Sequence, residues 1–230
     1  MIPLKDTIPA RTYPVINISV IVINCLVFFY EMSLGEDLNG FIQSYGAVPR
    51  RIFLIEREES LGLFSSFPQL FTSMFLHGGW LHIGGNMLYL WIFGDNVEDR
   101  LGHLRYLVFY ISCGVLACMT QILLYPSSPI PVVGASGAIA GVLGAYFLLY
   151  PLARVVTLVP ILFFFTVVEI PAFAFLFFWI AIQFASGTAA LSSYSAQLGG
   201  GVAWWAHIGG FISGMALLYF LKHFRKPRYR

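Results

Sequence analysis

The sequence has 230 residues, 58% of them hydrophobic and only 10% charged, with a net charge of +2. A soluble domain carries about a quarter charged residues, so this composition excludes an ordinary soluble domain and points to an integral membrane protein. The small charge, with no basic aromatic-interleaved patch, predicts no nucleic-acid partner; Cys25, Cys113 and Cys118 all lie in apolar runs, against a disulfide framework or a zinc cluster.

Residues 12–30 carry no charge and are rich in Val, Ile and Phe, between Arg11 and Glu31. That length spans the roughly 30 Å hydrocarbon core at about 1.5 Å per residue. The run ends without a small-residue cleavage pattern, so it is expected to persist as a first helix rather than leave as a signal peptide. Residues 32–60 form a polar connection holding Glu36, Asp37, Arg50, Arg51 and Glu56-Arg57-Glu58-Glu59. Its Phe41, Val48 and Ile52-Phe53-Leu54-Ile55 predict a folded segment lying partly at the membrane interface.

Charges then vanish from Ser60 to Gly94, a run too long for one helix and broken by Pro68 and Gly78-Gly79. A second span is predicted from Trp80 to about Phe93, followed by the charged cluster Asp95 to Arg105. Tyr106 to Tyr125 predicts a third, stopped by Pro126, Pro129 and Pro131. Val132 to Tyr150 predicts a fourth, closed by Pro151 and Arg154. The next apolar stretch, 155–186, holds Glu169 as its one charge. Proline suits the first turn of a helix and a carboxylate favours its N-terminus. The fifth helix is therefore placed from near Pro171, with Glu169 at its start and Val155 to Val168 at the interface. A buried functional carboxylate at Glu169 is the alternative. After a polar connection from Ser186 to Gly201, Val202 to Leu221 predicts a sixth.

The expected architecture is an all-α integral membrane protein of six transmembrane helices. One domain, 12–222, stands between a short N-terminal tail, 1–11, and a basic C-terminal tail, 223–230. Six spans put both termini on one side. Lys5, Arg11, Arg100, Arg105, Arg154, Lys222, Arg225, Lys226, Arg228 and Arg230 fall there, against Arg50, Arg51 and Arg57 opposite. The positive-inside rule makes the terminal side cytoplasmic.

In this topology helices two, four and six all run from outside inward, and each carries its polar residues near its start. These are His82 and Asn86 in the second, Ser136 in the fourth and His207 in the sixth. Ser136 and His207 each lie about five residues in, roughly 7–8 Å below the boundary. Polar groups are costly in lipid, so convergence on an interior, partly hydrated site in the outer half is expected. Gly137 and Gly141 on the fourth helix, and Gly210 and Gly214 on the sixth, are small-xxx-small ridges that let backbones approach closely. Close packing there brings an imidazole toward a hydroxyl that needs a base to become a nucleophile. No Asp or Glu lies near in these three segments, so catalysis would run on a dyad. His82 and Asn86, four residues apart, share a helix face. With the Ser136 backbone N–H they form a candidate donor set for an oxyanion.

Each feature also has a plain structural reading. Ser136 among glycines serves as helix filler, and an intramembrane histidine as a packing hydrogen-bonder. His77 reads as structural, and Trp80, Trp204 and Trp205 as interface anchors. A metal held by His82 and His207 lacks a third ligand of suitable type.

The same residues resemble the rhomboid intramembrane serine proteases. Gly134-Ala135-Ser136-Gly137 is similar to their G-x-S-G nucleophile motif, and Ala206-His207-Ile208-Gly209-Gly210 through Gly214 to their A-H-x-x-G-x-x-x-G helix. His82-Ile-Gly-Gly-Asn86 fits H-x-x-x-N, with His77 five residues before it. Tyr45-Gly-Ala-Val-Pro49 and Gly94-Asp-Asn-Val-Glu98-Asp-Arg100-Leu-Gly102 also resemble bacterial members. The likeness covers about residues 12–222. It implies a six-helix rhomboid bundle in the bacterial inner membrane, its active site facing the outer side. It implies cleavage of transmembrane or membrane-tethered proteins in or near the outer leaflet, without metal, nucleotide or other cofactor. Ser136 would be the nucleophile, His207 the general base and acid, and His82 and Asn86 the oxyanion donors, with Gly134 and the two glycine ridges packing around them.

Two positions depart from the family pattern. Many members carry Trp-Arg in the first outer loop, where this chain has Phe67-Pro68-Gln69. Some carry a tyrosine one turn after the serine, stacked on the catalytic histidine. That place is Ala140 here, which leaves open what orients His207. Two other function classes compete. A non-cutting rhomboid-like protein that binds membrane clients is disfavoured by the presence of both Ser136 and His207. A small transporter would need broken helices at related positions in two halves, and no such symmetry is visible.

Overall fold

The computed structural model describes residues 1–52, 62–161, 164–191 and 201–221. The predicted basic tail 223–230, with residues 53–60 and 192–200 of the two predicted polar connections, lies outside the described residues. A strand, β1 (Ile2–Asp6), precedes helix α1 (Val15–Ser33). The connection that follows holds α2 (Leu38–Tyr45) and α3 (Gly62–Thr72). Then come α4 (Trp80–Leu101), α5 (His103–Leu124) and α6 (Ser136–Leu149). A hairpin of β2 (Arg154–Ile161) and β3 (Phe164–Pro171) leads into α7 (Ala172–Leu191), and α8 is Trp204–Leu221.

Among the described residues four helices, α1, α5, α7 and α8, are long and apolar enough to cross a membrane. The 22-residue α4 runs on past Phe93 through Asp95, Glu98, Asp99 and Arg100. The shortest of the apolar helices is α6, 14 residues or about 21 Å. Every residue from Gly137 to Tyr146 is buried. A helix apolar on all sides belongs in the centre, and α6 is enclosed by α4, α5 and α8. Outward from it the helices present large apolar side chains, among them Leu26, Trp91, Leu123, Phe177 and Phe220. That is the inverse of a water-soluble surface, and the chain is a multi-pass integral membrane protein.

The expectation of an all-α fold needs one correction. Strands β1, β2 and β3 form an antiparallel sheet in that order, with Ile2 opposite Leu158 and Val156 opposite Glu169. The runs Val155-Val156-Thr157 and Thr166-Val167-Val168 are β-branched and suit a pleated surface better than a helix. Within it Val155 and Thr157 are fully buried. Glu169 lies on β3, exposed, so neither the helix-start placement nor the buried-carboxylate alternative holds. The fifth helix does begin directly after Pro171, but it continues to Leu191, past the predicted break at Ser186. Pro68 stands inside α3 instead of ending it.

The N-terminus of α1 is held by α4. A helix start leaves backbone donors unpaired and favours negative charge. The buried Glu98 carboxylate accepts the N–H of Ile16 at 3.0 Å and of Asn17 at 2.7 Å. Asn17 donates to the Leu90 carbonyl at 3.0 Å and accepts the Tyr106 hydroxyl at 2.7 Å. These bonds join α1, α4 and α5 around one buried polar knot, and Glu98 also meets the half-exposed His103 at its edge.

Candidate active site

Residues 132–135 do not extend α6, contrary to the predicted start at Val132. Val132 instead bridges Ala47 in both directions, at 2.8 and 3.2 Å. Gly134 donates to the Ser73 carbonyl at 2.9 Å with φ +120°, a conformation that a side chain disfavours. A Cβ on it would also meet His82 Nε2 at 2.7 Å. The strand-like approach and this turn set Ser136 as the first residue of α6, not five residues in. Its backbone N–H is thereby one of the unpaired donors of a helix start.

His207, the fourth residue of α8, is buried, and its Nε2 lies 2.9 Å from Ser136 Oγ. Glycine makes that approach possible. A Cβ on Gly210 would run into the carbonyl of Gly137, and one on Gly214 into the carbonyl of Gly141. The glycines of α6 face elsewhere as well. A Cβ on Gly137 would meet Ala117 at 2.6 Å and one on Gly141 would meet Cys113 at 2.5 Å, both on α5. The α8 ridge thus seats α8 on α6, while the α6 ridge seats α6 on α5.

His82 stands in the first turn of α4, and its Nδ1 accepts the Gly78 N–H at 3.3 Å. A nitrogen that accepts carries no proton, so the proton sits on Nε2, on the side of Gly134 and the serine. Asn86, one turn on, is buried, and its Nδ2 has no partner among the described residues. His82, Asn86 and Ser136 line one space, with His82 Nε2 beside Gly134. A cavity of about 1210 Å³ opens over them, lined in part by Tyr89, Trp179 and Gln183.

The loop before α4 is tied down by other means than Trp-Arg. Gln69 Nε2 donates to the Ser44 carbonyl at 3.3 Å and Thr72 Oγ1 to the Tyr45 carbonyl at 2.6 Å. The buried Glu31 carboxylate of α1 accepts the His77 N–H at 3.2 Å. The His77 ring packs edge-on against His82 with centroids 5.1 Å apart. His77 thus positions its neighbour from outside the cavity.

A family model described as the Rhomboid domain matches residues 65–224, about 70% of the chain. The chain belongs to the rhomboid family. The rhomboid protease GluP of Bacillus subtilis is 31% identical over 137 residues, covering 60% of this chain and 24% of that protein. Rhomboid-like protein 11, chloroplastic, of Arabidopsis thaliana is 36% identical over 92 residues, 39% of this chain and 32% of the relative. Rhomboid protein 1, mitochondrial, of Saccharomyces cerevisiae is 30% identical over 164 residues, 69% and 43% respectively. The matched stretches thus span less than half the length of each of these curated rhomboids.

One feature of this rhomboid site escaped the reading of its residues. Gln183, on α7, lies with its Oε1 2.7 Å from His207 Nδ1, and Trp179 tilts its ring over the imidazole at 5.9 Å. The signal was present: an amide in the middle of an apolar span is costly unless a partner awaits it.

Proposed function

We propose that this rhomboid is an intramembrane serine endopeptidase that cuts transmembrane or membrane-tethered proteins near the outer leaflet. The observation that carries the reading is the 2.9 Å approach of Ser136 Oγ to His207 Nε2. His207 takes the hydroxyl proton as Ser136 Oγ attacks the scissile carbonyl. The developing oxyanion sits among the Ser136 N–H, His82 Nε2–H and Asn86 Nδ2–H donors. His207 then returns its proton to the leaving amine, and water, deprotonated by the same imidazole, releases the acyl group.

In this reading α1, α4, α5, α6, α7 and α8 are the six spans of a domain covering 12–222, and both termini are cytoplasmic. The membrane is a bacterial inner membrane, with the cavity opening on its outer side. The competing reading is a rhomboid that holds membrane clients without cutting. One comparison separates them: wild type and Ser136→Ala in proteoliposomes with a single-span substrate. Cleavage by wild type alone is expected, with a fluorophosphonate label mapping to Ser136. Equal behaviour of the two proteins would leave the client-binding reading.

A further inference from the structure

A histidine that serves as base must leave Nε2 bare toward the serine and keep its proton on Nδ1. Ala140 offers only a methyl group where some rhomboids place a ring, so the orientation of His207 has to come from another element. Gln183 supplies it from α7. Its Nε2 donates to the Trp179 carbonyl, one turn back, at 3.2 Å. A carbonyl can only accept, so that end of the amide is the NH₂ end. The other end, Oε1, therefore faces His207 Nδ1 at 2.7 Å as an acceptor, and Nδ1 must donate. The imidazole then has one arrangement left, with Nε2 as the acceptor of the Ser136 hydroxyl.

Packing keeps the amide in place. Gln183 and His207 are both buried. The Trp179 ring lies at 35° over the imidazole, and Trp204 meets it edge-on at 6.3 Å. Gly187, one turn beyond Gln183, admits α8: a Cβ there would crowd Trp204 and Trp205 at 3.3 Å. The titratable group facing His207 from α4 is His82, and Ser136 faces it from α6. From α5, Thr120 and Gln121 approach the start of α8, neither of them charged.

We propose that Gln183 is a positioning residue of this site, the third member of a Ser136–His207–Gln183 hydrogen-bond chain that fixes the tautomer of the base. The proposal rests on the protease reading for its effect on rate, though not for its effect on the imidazole. An amide in a membrane helix can also be simple glue between helices, and the test must separate the two roles.

Gln183→Leu removes the acceptor, and Gln183→Glu keeps an acceptor while adding charge. Loss of a hydrogen bond to the charged imidazole is worth roughly 10- to 100-fold in rate. Gln183→Leu is expected to lower kcat by that factor with KM little changed, and to slow fluorophosphonate labelling of Ser136 in parallel. Gln183→Glu is expected to stay within about tenfold of wild type, because a carboxyl oxygen still accepts the Nδ1–H. Independently of turnover, nitrogen NMR of labelled histidine should find the His207 proton on Nδ1 in wild type and displaced from it in Gln183→Leu. A Gln183→Leu protein with wild-type kcat and pH profile would overturn the proposal and leave the protease reading standing. A wild-type His207 protonated on Nε2 would overturn it whatever the activity. An inert wild type with the Nδ1–H tautomer would sink the protease reading alone.

Discussion

Gly210→Ala adds one carbon to the seam between α8 and α6. That carbon would fall on the carbonyl of Gly137, with the Cβ of Ala140 3.2 Å away. The obstacle is backbone, so no rotamer relieves it, and the helices must part by about 1 Å to restore ordinary contact. Ser136 and His207 ride on the two helices that part, one residue from Gly137 and three from Gly210. A misplacement of about 1 Å in a positioned reactive pair costs about a hundredfold, and overpacking itself costs about 1–3 kcal/mol of stability. The measurement is kcat against a single-span substrate in proteoliposomes, with thermal unfolding followed in detergent. Gly84→Ala on α4 is the control, since a Cβ there has nothing within 4 Å. A Gly210→Ala protein that matched the Gly84→Ala control in both rate and melting temperature would refute the packing argument.

Asn86→Ala should lower kcat by roughly 10²–10³, the usual loss for one oxyanion donor, with KM little changed. An unaltered kcat in the same proteoliposome assay would reduce Asn86 to a packing residue despite its unpartnered Nδ2. Asp6, at the end of β1, has its carboxyl raised above the ordinary 3.8 by burial, only partly offset by the Tyr146 hydroxyl that donates to it. A carboxyl with a raised folded value holds its proton more tightly when native. Its stabilisation is therefore complete below about pH 3.8 and is lost as pH rises through the folded value. Melting temperatures stepped upward from pH 3.8 should decline less in Asp6→Asn than in wild type, and parallel curves for the two proteins would contradict the burial argument.

Helices were legible where apolar length alone decides. The third predicted span, Tyr106 to Tyr125, differs from α5 (His103–Leu124) by a few residues at its start. The contact of Ser136 with His207 was legible because polar atoms in lipid must gather somewhere, and His82 and Asn86 line the same cavity. Three things were not. The hairpin 154–171 is as hydrophobic as a span, so composition cannot separate it from an interfacial helix; only its β-branched texture does. The approach to Ser136 is held by a bridge between Val132 and Ala47, some 85 residues earlier in the chain, and no local pattern announces that. Gln183 was passed over as part of an apolar run, although its amide needed two partners and His207 needed one.

The sheet sets a schedule for the growing chain. Ile2 pairs with Leu158 and Asp6 with Val155, so the first strand must wait for about 150 further residues before its partner exists. At translation rates of about 5–20 residues per second, the wait is roughly 8–30 s. During that interval Ile2 and Leu4 have no sheet to join, and α1, α4 and α5 are made without it. This closure therefore ties β1 to a hairpin made after helices α1 to α6. A fusion partner placed ahead of Met1 would act on that late event, slowing the seating of β1 while leaving insertion of the helices untouched.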